Sequence, residues 1–338
     1  MHNRYSRQEL FNPIGEKGQQ LLKQKHVLII GVGALGSASA EALVRAGIEK
    51  LTIIDRDYVE WSNLQRQQLY TEQDAQEKVP KVIAAKNRLQ SINSSVEINE
   101  FILDAFTEKL PGILKDVDIM IDATDNFDVR FMMNDLAQKY QIPWIYGSCV
   151  GSYGATYTIV PGKTPCLHCL LKVMPNTGMT CDTVGIISPA VQIVAAYQVA
   201  EALKLLVGDE EARRKSYLTF DVWQNQHYEM NVEKVRNHDC PSCGQNPTYP
   251  YLSYENQTKL EVLCGRDAIQ IRPAKPVHHN LDQLAVKLKP YGDIQQNPYL
   301  LSCQAPDYRI VIFQDGRVVI HGIQDIEKAK SIYYRLLG

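Results

Sequence analysis

The stretch VLIIGVGALGSASAEAL, Val27 to Leu43, decides the fold. It begins as an apolar run of strand length, passes through Gly31, Gly33 and Gly36 in the spacing G-x-G-x-x-G, and continues as a helix rich in small residues. A strand that ends in such a turn and starts a helix opens a nucleotide-binding βαβ unit. The first glycine permits the tight turn, the second lets the backbone approach a phosphate, and the third lets the helix pack close to the strand. Free N–H groups at the helix start favour an anion. Asp55, at the end of the next apolar run LTIID, is placed to bind ribose hydroxyls.

Outward from this stretch, apolar runs alternate with helical patterns from Lys25 to about Gly162. They are HVLIIG, a helix over Ser37 to Ala46, KLTIID, a helix after Pro80, SVEINEF, VDIMIDAT, a helix over Val129 to Tyr140, and PWIYGS. Such alternation implies right-handed crossovers and an α/β fold: a doubly wound, Rossmann-like, mostly parallel sheet covered on both faces. Lys172 to Gly185, KVMPNTGMTCDTVG, reads as a long loop. The Pro-, Asn- and Tyr-rich GQNPTYPYLSYENQT after Cys243 marks a boundary, dividing the chain into a nucleotide-binding domain over 1–246 and a small α+β domain over 247–338. In the latter, Asp315-Gly316 supplies the positive-φ turn of a hairpin, and Asp325 caps a last helix running through Leu337.

A net charge of −2 gives no broad reason to expect nucleic acid or an anionic membrane as partner. The start MHNRYSRQEL lacks the apolar core of a signal peptide. The most apolar stretch, GIISPAVQIVAAYQVAEALKLLVG, is broken by Pro189, Gln192, Gln198, Glu201 and Lys204, and reads as a buried helix rather than a membrane span. Cysteines without a secretion signal fit a reducing cytoplasm. Four of them, Cys166 and Cys169 with Cys240 and Cys243, form two C-x-x-C pairs of the kind that holds Zn2+ in a tetrathiolate; redox pairs are the alternative. His168 and His238 are then bystanders, and Cys149, Cys264 and Cys303 are packed small residues.

The glycine fingerprint raises a dehydrogenase first, but hydride transfer needs a group to move the substrate's proton. No histidine occurs between His26 and His168, and no tyrosine has a lysine four residues later. What stands there suits a triphosphate instead. Asn63 and Arg66 follow the second strand, Lys78 and Lys81 flank Pro80 at a helix start where a bound phosphate would remove their conflict with the dipole, each alone reading equally as a solvated surface charge, and Asp125 sits where a carboxylate could hold Mg2+. Asp122 reads as a cap and Arg130 as a surface or ion-pair residue.

Together RYSRQ, GVGALG, DRDYVEWSNLQRQ, PKV, DATDN and the paired C-x-x-C motifs resemble the ThiF/MoeB family of ubiquitin-activating-type adenylyltransferases over residues 1 to 245. That resemblance implies an enzyme using ATP and Mg2+ to adenylate the C-terminal glycine carboxylate of a ubiquitin-like sulfur carrier protein ending in Gly-Gly. It implies contacts from Gly33 and its neighbours to the nucleotide, from Asp55 to the ribose, from Asn63, Arg66 and Lys81 to the phosphates, and from Asp125 to magnesium. It implies a homodimer in which Arg7 reaches into the partner's site, and a covalent role for Cys181 in ThiF-like members. A thiazole-pathway, ThiF-like role is preferred to a MoeB-like one in molybdopterin synthesis. An NAD-linked oxidoreductase and a zinc-stabilised, non-catalytic adaptor for ubiquitin-like proteins are the readings of other classes. The segment around Cys264 lacks the arginine that a rhodanese domain places directly after its cysteine.

Overall fold

A computed structural model of the chain describes residues 4–103, 110–171, 184–252, 260–263, 268–272 and 277–337. By contact, the chain separates into two compact units: Met1–Gly178 with Ile186–Asn256, and Met179–Gly185 with Gln257–Gly338.

The first unit is built on an eight-stranded sheet in the order β3-β2-β1-β4-β5-β6-β7-β8. Its strands are β1 His26–Ile30, β2 Lys50–Asp55, β3 Glu97–Ile102, β4 Ile119–Asp122, β5 Trp144–Val150, β6 Tyr153–Ile159, β7 Ser216–Asp221 and β8 Gln226–Asn231. The first five run parallel, and β6, β7 and β8 are added antiparallel. The sequence reading reaches the parallel half and omits β6 to β8. Every residue of β1 is buried, as an apolar strand covered on both faces must be. Val27 and Ile29 pack into one core with Leu51, Ile53 and the helices Ala34–Ala46 and Lys81–Ile92. Leu28 and Ile30 pack into the other with Met120, Trp144 and the helix Phe127–Tyr140.

Local signals set the helix ends. Gly47, left-handed at φ +81°, ends Ala34–Ala46, and the Asn126 side chain accepts the Val129 N–H to start Phe127–Tyr140, two residues before the expected Val129. The helix Ser188–Leu206 packs on Ala34–Ala46, β5 and β6; from its interior, Gln198 Nε2 donates to the carbonyls of Asp122 and Ile145, and Glu201 accepts from Thr158. Among the described residues no helix is long and apolar enough to cross a membrane.

The second unit carries a six-stranded antiparallel sheet ordered β11-β12-β13-β14-β10-β9. These are β9 Leu260–Leu263, β10 Ala268–Ile271, β11 Asp293–Gln296, β12 Leu300–Gln304, β13 Arg309–Phe313 and β14 Val318–His321. Leu281 and Leu288 of one helix and Ala329, Ile332 and Leu336 of another join its core. In the β13–β14 turn only Gly316 takes a positive φ; the Asp315 carboxylate accepts the Arg317 N–H, so the pair forms a bulged turn and not a two-residue hairpin loop.

His26 opens β1 with both ring nitrogens engaged. Nδ1 faces the Asp116 carbonyl at 3.2 Å, which can only accept, so Nδ1 carries the proton and Nε2 accepts from the Thr52 hydroxyl at 2.8 Å. Burial, then the charge of Lys50, pulls its pKa below the ordinary value. Below about pH 6.5 the unfolded chain takes up a proton that folded His26 resists, so stability falls as the pH falls through that window. His26→Asn should therefore flatten the pH dependence of thermal unfolding between pH 7 and 5, by at most about 1.4 kcal/mol per pH unit; equal slopes in the two proteins would refute this.

Candidate active site and metal centre

The strand order reverses between β1 and β4, and in open α/β sheets the crevice at such a point, outside the carboxyl ends of the strands, is where ligands bind. Gly31 leaves β1 at φ +89°, and a Cβ on it would lie 2.6 Å from the Ala123 carbonyl oxygen just beyond β4. A Cβ on Gly36 would overlap the Gly31 carbonyl oxygen. A Cβ on Gly33 would meet only Gln67 Nε2, at 3.7 Å. Two glycines thus serve close packing, and the second leaves open space where a phosphate would approach.

Asp55 ties this loop to β2. Its Oδ2 accepts the Val32 N–H at 2.6 Å and its Oδ1 the Asp57 N–H at 2.7 Å. Burial pushes the Asp55 carboxyl up, and the charge of Lys81 opposes the shift. Lys81 begins its helix only 4% exposed, with Nζ 3.5 Å from Asp57 Oδ2. It is delivered there by a short antiparallel bridge between Tyr58 and Pro80 and by its own N–H bond to the Asp57 carbonyl.

Asn63 is buried in a turn where its Oδ1 accepts the Glu60 N–H, and its Nδ2 makes a 3.5 Å contact with Ser62. Arg66 is half-buried and donates to the Ser62 carbonyl at 2.8 Å. Tyr70 and Gln67, which the sequence reading does not single out, connect this segment to the glycine loop: the Tyr70 hydroxyl donates to the Val32 carbonyl, and Gln67 reaches Gly33. Asp125 lies exposed in the bend after β4, two residues past Ala123.

Asp122 and Arg130 form a buried pair, Nε to Oδ2 at 2.9 Å, so Arg130 is an interior residue and not a surface one. Asp122 Oδ1 accepts from both the N–H and the hydroxyl of Thr124, and Arg130 Nη2 donates to the carbonyls of Thr124 and Gly147. Burial alone would pull the Arg130 pKa down; Asp122 more than reverses this, and the guanidinium stays charged.

The glycine loop is thus joined to Asp55 through Val32, to Lys81 through Asp55 and Asp57, and to the Asn63–Arg66 turn through Gln67 and Tyr70, while Asp125 follows two residues after Ala123, on which Gly31 packs. Arg7 is elsewhere. It is exposed on the helix Ser6–Glu9, and its neighbour Gln8 donates to the Ala46 carbonyl, at the far end of the helix that begins beside Gly33. That helix is roughly 18 Å long, so Arg7 is anchored well away from its own chain's crevice. Cys181 and Cys264 lie outside the described residues.

The four knuckle cysteines converge. Cys166 Sγ stands 3.9 Å from Cys169 and 3.6 Å from Cys240, and Cys169 stands 3.6 Å from Cys243. Four sulfurs each about 2.3 Å from a tetrahedral zinc are about 3.8 Å apart, whereas a disulfide needs about 2.05 Å. The spacing fits a metal and excludes bonded pairs. The Asn237 N–H donates to Cys169, and the hydrogen bond between Cys166 and Cys169 pushes the first thiol up and pulls the second down, a proton-sharing that a cation would replace. Cys149 is half-buried in β5 and Cys303 buried in β12.

Residues 5–242 match the model of the ThiF family. The chain belongs to the ThiF family. It is 53% identical over 340 residues, the whole of both chains, to the sulfur carrier protein ThiS adenylyltransferase of Bacillus subtilis (strain 168). It is 33% identical over 247 residues, 72% of this chain and 96% of the other, to the molybdopterin-synthase adenylyltransferase of Escherichia coli (strain K12). In fold it is like the E. coli MccB solved with ATP, at a TM-score of 0.61 and 24% identity over 72% of this chain and 75% of that one.

The geometry of the ThiF fingerprint separates its glycines. Gly36→Ala should abolish the folded first unit, seen as loss of its thermal transition, because backbone meets backbone there; Gly33→Ala should keep the transition and lose nucleotide binding. Equal thermal behaviour of the two variants would contradict this account. For the knuckles, metal analysis of freshly purified protein should give about one zinc per chain, and its removal by chelator should lower the thermal midpoint; no zinc would refute the tetrathiolate.

Proposed function

We propose that the chain activates the C-terminal glycine carboxylate of a ubiquitin-like sulfur carrier protein ending in Gly-Gly, using ATP and releasing pyrophosphate, for sulfur transfer in thiazole and thiamine biosynthesis. The observation that carries the pathway is the reach of the likeness: with the ThiS adenylyltransferase it runs through the second unit as well as the first, and with the molybdopterin-synthase adenylyltransferase it covers 72% of the chain. The crevice carries the chemistry.

The carrier's carboxylate oxygen attacks the α-phosphorus of ATP; the bond to the bridging oxygen of the β-phosphate breaks, and pyrophosphate leaves with that electron pair. No proton moves, because the carboxylate is already ionised, so the lack of a histidine relay is no obstacle. What the step requires is alignment of two anions and cations for the developing charge. The loop shaped by the packing of Gly31 and Gly36 presents Gly33 to the phosphates. Asp55 keeps a second lone pair on each oxygen for the ribose hydroxyls while its first two hold the loop. Asn63 Nδ2, Arg66 and the buried Lys81 face the phosphates. Asp125 would hold magnesium, which when bound neutralises triphosphate charge. Arg7, anchored away from its own crevice, serves the partner subunit of a homodimer. Zinc on Cys166, Cys169, Cys240 and Cys243 is structural, and Cys181 is the candidate for a covalent link to the sulfurated carrier. The site of action is the cytoplasm.

Exchange of labelled pyrophosphate into ATP tests the reading. Wild-type protein should exchange only with a Gly-Gly-ended carrier, and Arg66→Ala, Asp125→Ala and Arg7→Ala should each lower exchange by at least about 100-fold with unchanged thermal midpoints. Absence of exchange with every sulfur carrier of the cell would sink the proposal, and wild-type activity in a variant would remove that residue from the site.

A further inference from the structure

Val32, between the first two glycines, is held on both of its backbone polar groups. Its N–H donates to Asp55 Oδ2 at 2.6 Å, and its carbonyl accepts the Tyr70 hydroxyl at 2.5 Å. A trans peptide is planar, with its C=O and N–H pointing in opposite directions. Fixing the Val32 carbonyl toward the buried Tyr70 ring therefore aims the Gly33 N–H the other way. That N–H has no acceptor among the described residues, and the space beside Gly33 is open.

Tyr70 also belongs to the segment that carries Arg66. Its N–H donates to the Gln67 carbonyl, and the N–H groups of Arg66 and Gln67 both donate to the Asn63 carbonyl. One phenol thus joins the glycine loop to the turn that presents the arginine. The ring is 8% exposed and sits in the core with Val32, Val59 and Leu69. Burial, and then the charges of Asp55, Asp74 and Asp57, push its pKa well above the ordinary value, so the hydroxyl keeps the proton it must donate. Gln67 adds to the same corner, with Nε2 next to Gly33 and a buried Oε1 that has no partner among the described residues.

We propose that Tyr70 is a positioning residue of the nucleotide site: its hydroxyl, opposed by the Asp55 carboxylate, orients the Val32–Gly33 peptide so that the Gly33 N–H faces the phosphates, and fixes the spacing between the glycine loop and Arg66. This rests on the nucleotide reading of Gly31, Gly33 and Gly36. Tyr70→Phe tests it, since the ring stays in the core and one donor is removed. Two measurements are made on wild-type and variant protein without carrier: calorimetric titration with ATP, and amide hydrogen exchange of the free protein. The expected result is an ATP Kd raised about tenfold, with faster exchange confined to residues 31–36 and a thermal midpoint close to wild type. Equal affinity in the two proteins overturns the role of Tyr70 and leaves the nucleotide site standing. Faster exchange spread through the whole first unit also overturns it, because Tyr70 would then act on stability alone. A wild-type protein that takes up no ATP overturns the nucleotide reading, and the proposal with it.

Discussion

The first unit depends on one place where backbone packs on backbone with no room for a methyl group. Gly31 turns out of β1 against Ala123, and the helix that follows lies with Gly36 on the Gly31 carbonyl. The contact draws together the ends of β1 and β4, the two strands between which the sheet's connections diverge. It fixes where the crevice opens and how near the helix N-terminus stands to it. Asp55 and Asp125 then follow by connectivity, one at the end of the adjacent strand and the other two residues beyond Ala123. A larger side chain at either glycine would separate these groups before it affected any ligand.

Buried charge is arranged on both sides of that contact. Of the two acids in DATDN, Asp122 is consumed, its oxygens accepting from Thr124 and Arg130, so Asp125 is the carboxylate left at the open edge. Removing one member of a buried pair such as Asp122–Arg130 costs about 3–5 kcal/mol, since the other is left desolvated. On the opposite side Lys81 shares the neighbourhood of Asp55 and Asp57, and its charge offsets the burial of Asp55. A cation therefore stands against carboxylates on each side of the glycine contact, Lys81 with Asp55 and Asp57 and Arg130 with Asp122.

What was legible in the sequence follows the range of the physics involved. The glycine turn, the acid ending β2 and the C-x-x-C pairs announce themselves because backbone geometry or ligand chemistry demands those residues at fixed local spacing. The central parallel strands β1 and β4 are apolar runs legible in the sequence; β8, QHYEMN, is exposed at every position, so its Tyr228 and Met230 alternate without marking a buried face. Tyr70 was invisible for another reason. Its partner, the Val32 carbonyl, is set by the path of the chain from β2 back to the glycine loop, and nothing in the string NLQRQQLY specifies that return. The sequence alone admits Arg130 as a surface charge or an ion-pair residue, because only the tertiary fold lays Tyr146 and the Gly147 carbonyl around its guanidinium.

The same tertiary detail separates the metal centre from the crevice. The thiolate cluster and the segment that follows it are attached along the helix Phe127–Tyr140: Leu167, within the first knuckle, donates its N–H to Asn134, the Tyr251 N–H donates to Asp135, and the Tyr251 ring stacks on Phe131 at 4.4 Å. The start of the helix has further restraints, the Asn126 cap and Arg130 reaching Asp122, Thr124 and Gly147. Loss of these contacts would loosen the helix at Phe131, Asn134 and Asp135, while the bend that bears Asp125 keeps its own restraints. A metal held by the four thiolates would sustain the fold of the first unit, whereas the placement of Asp55, Lys81 and Asp125 rests on the glycine contact and the Lys81–Asp57 and Asp122–Arg130 pairs beside it.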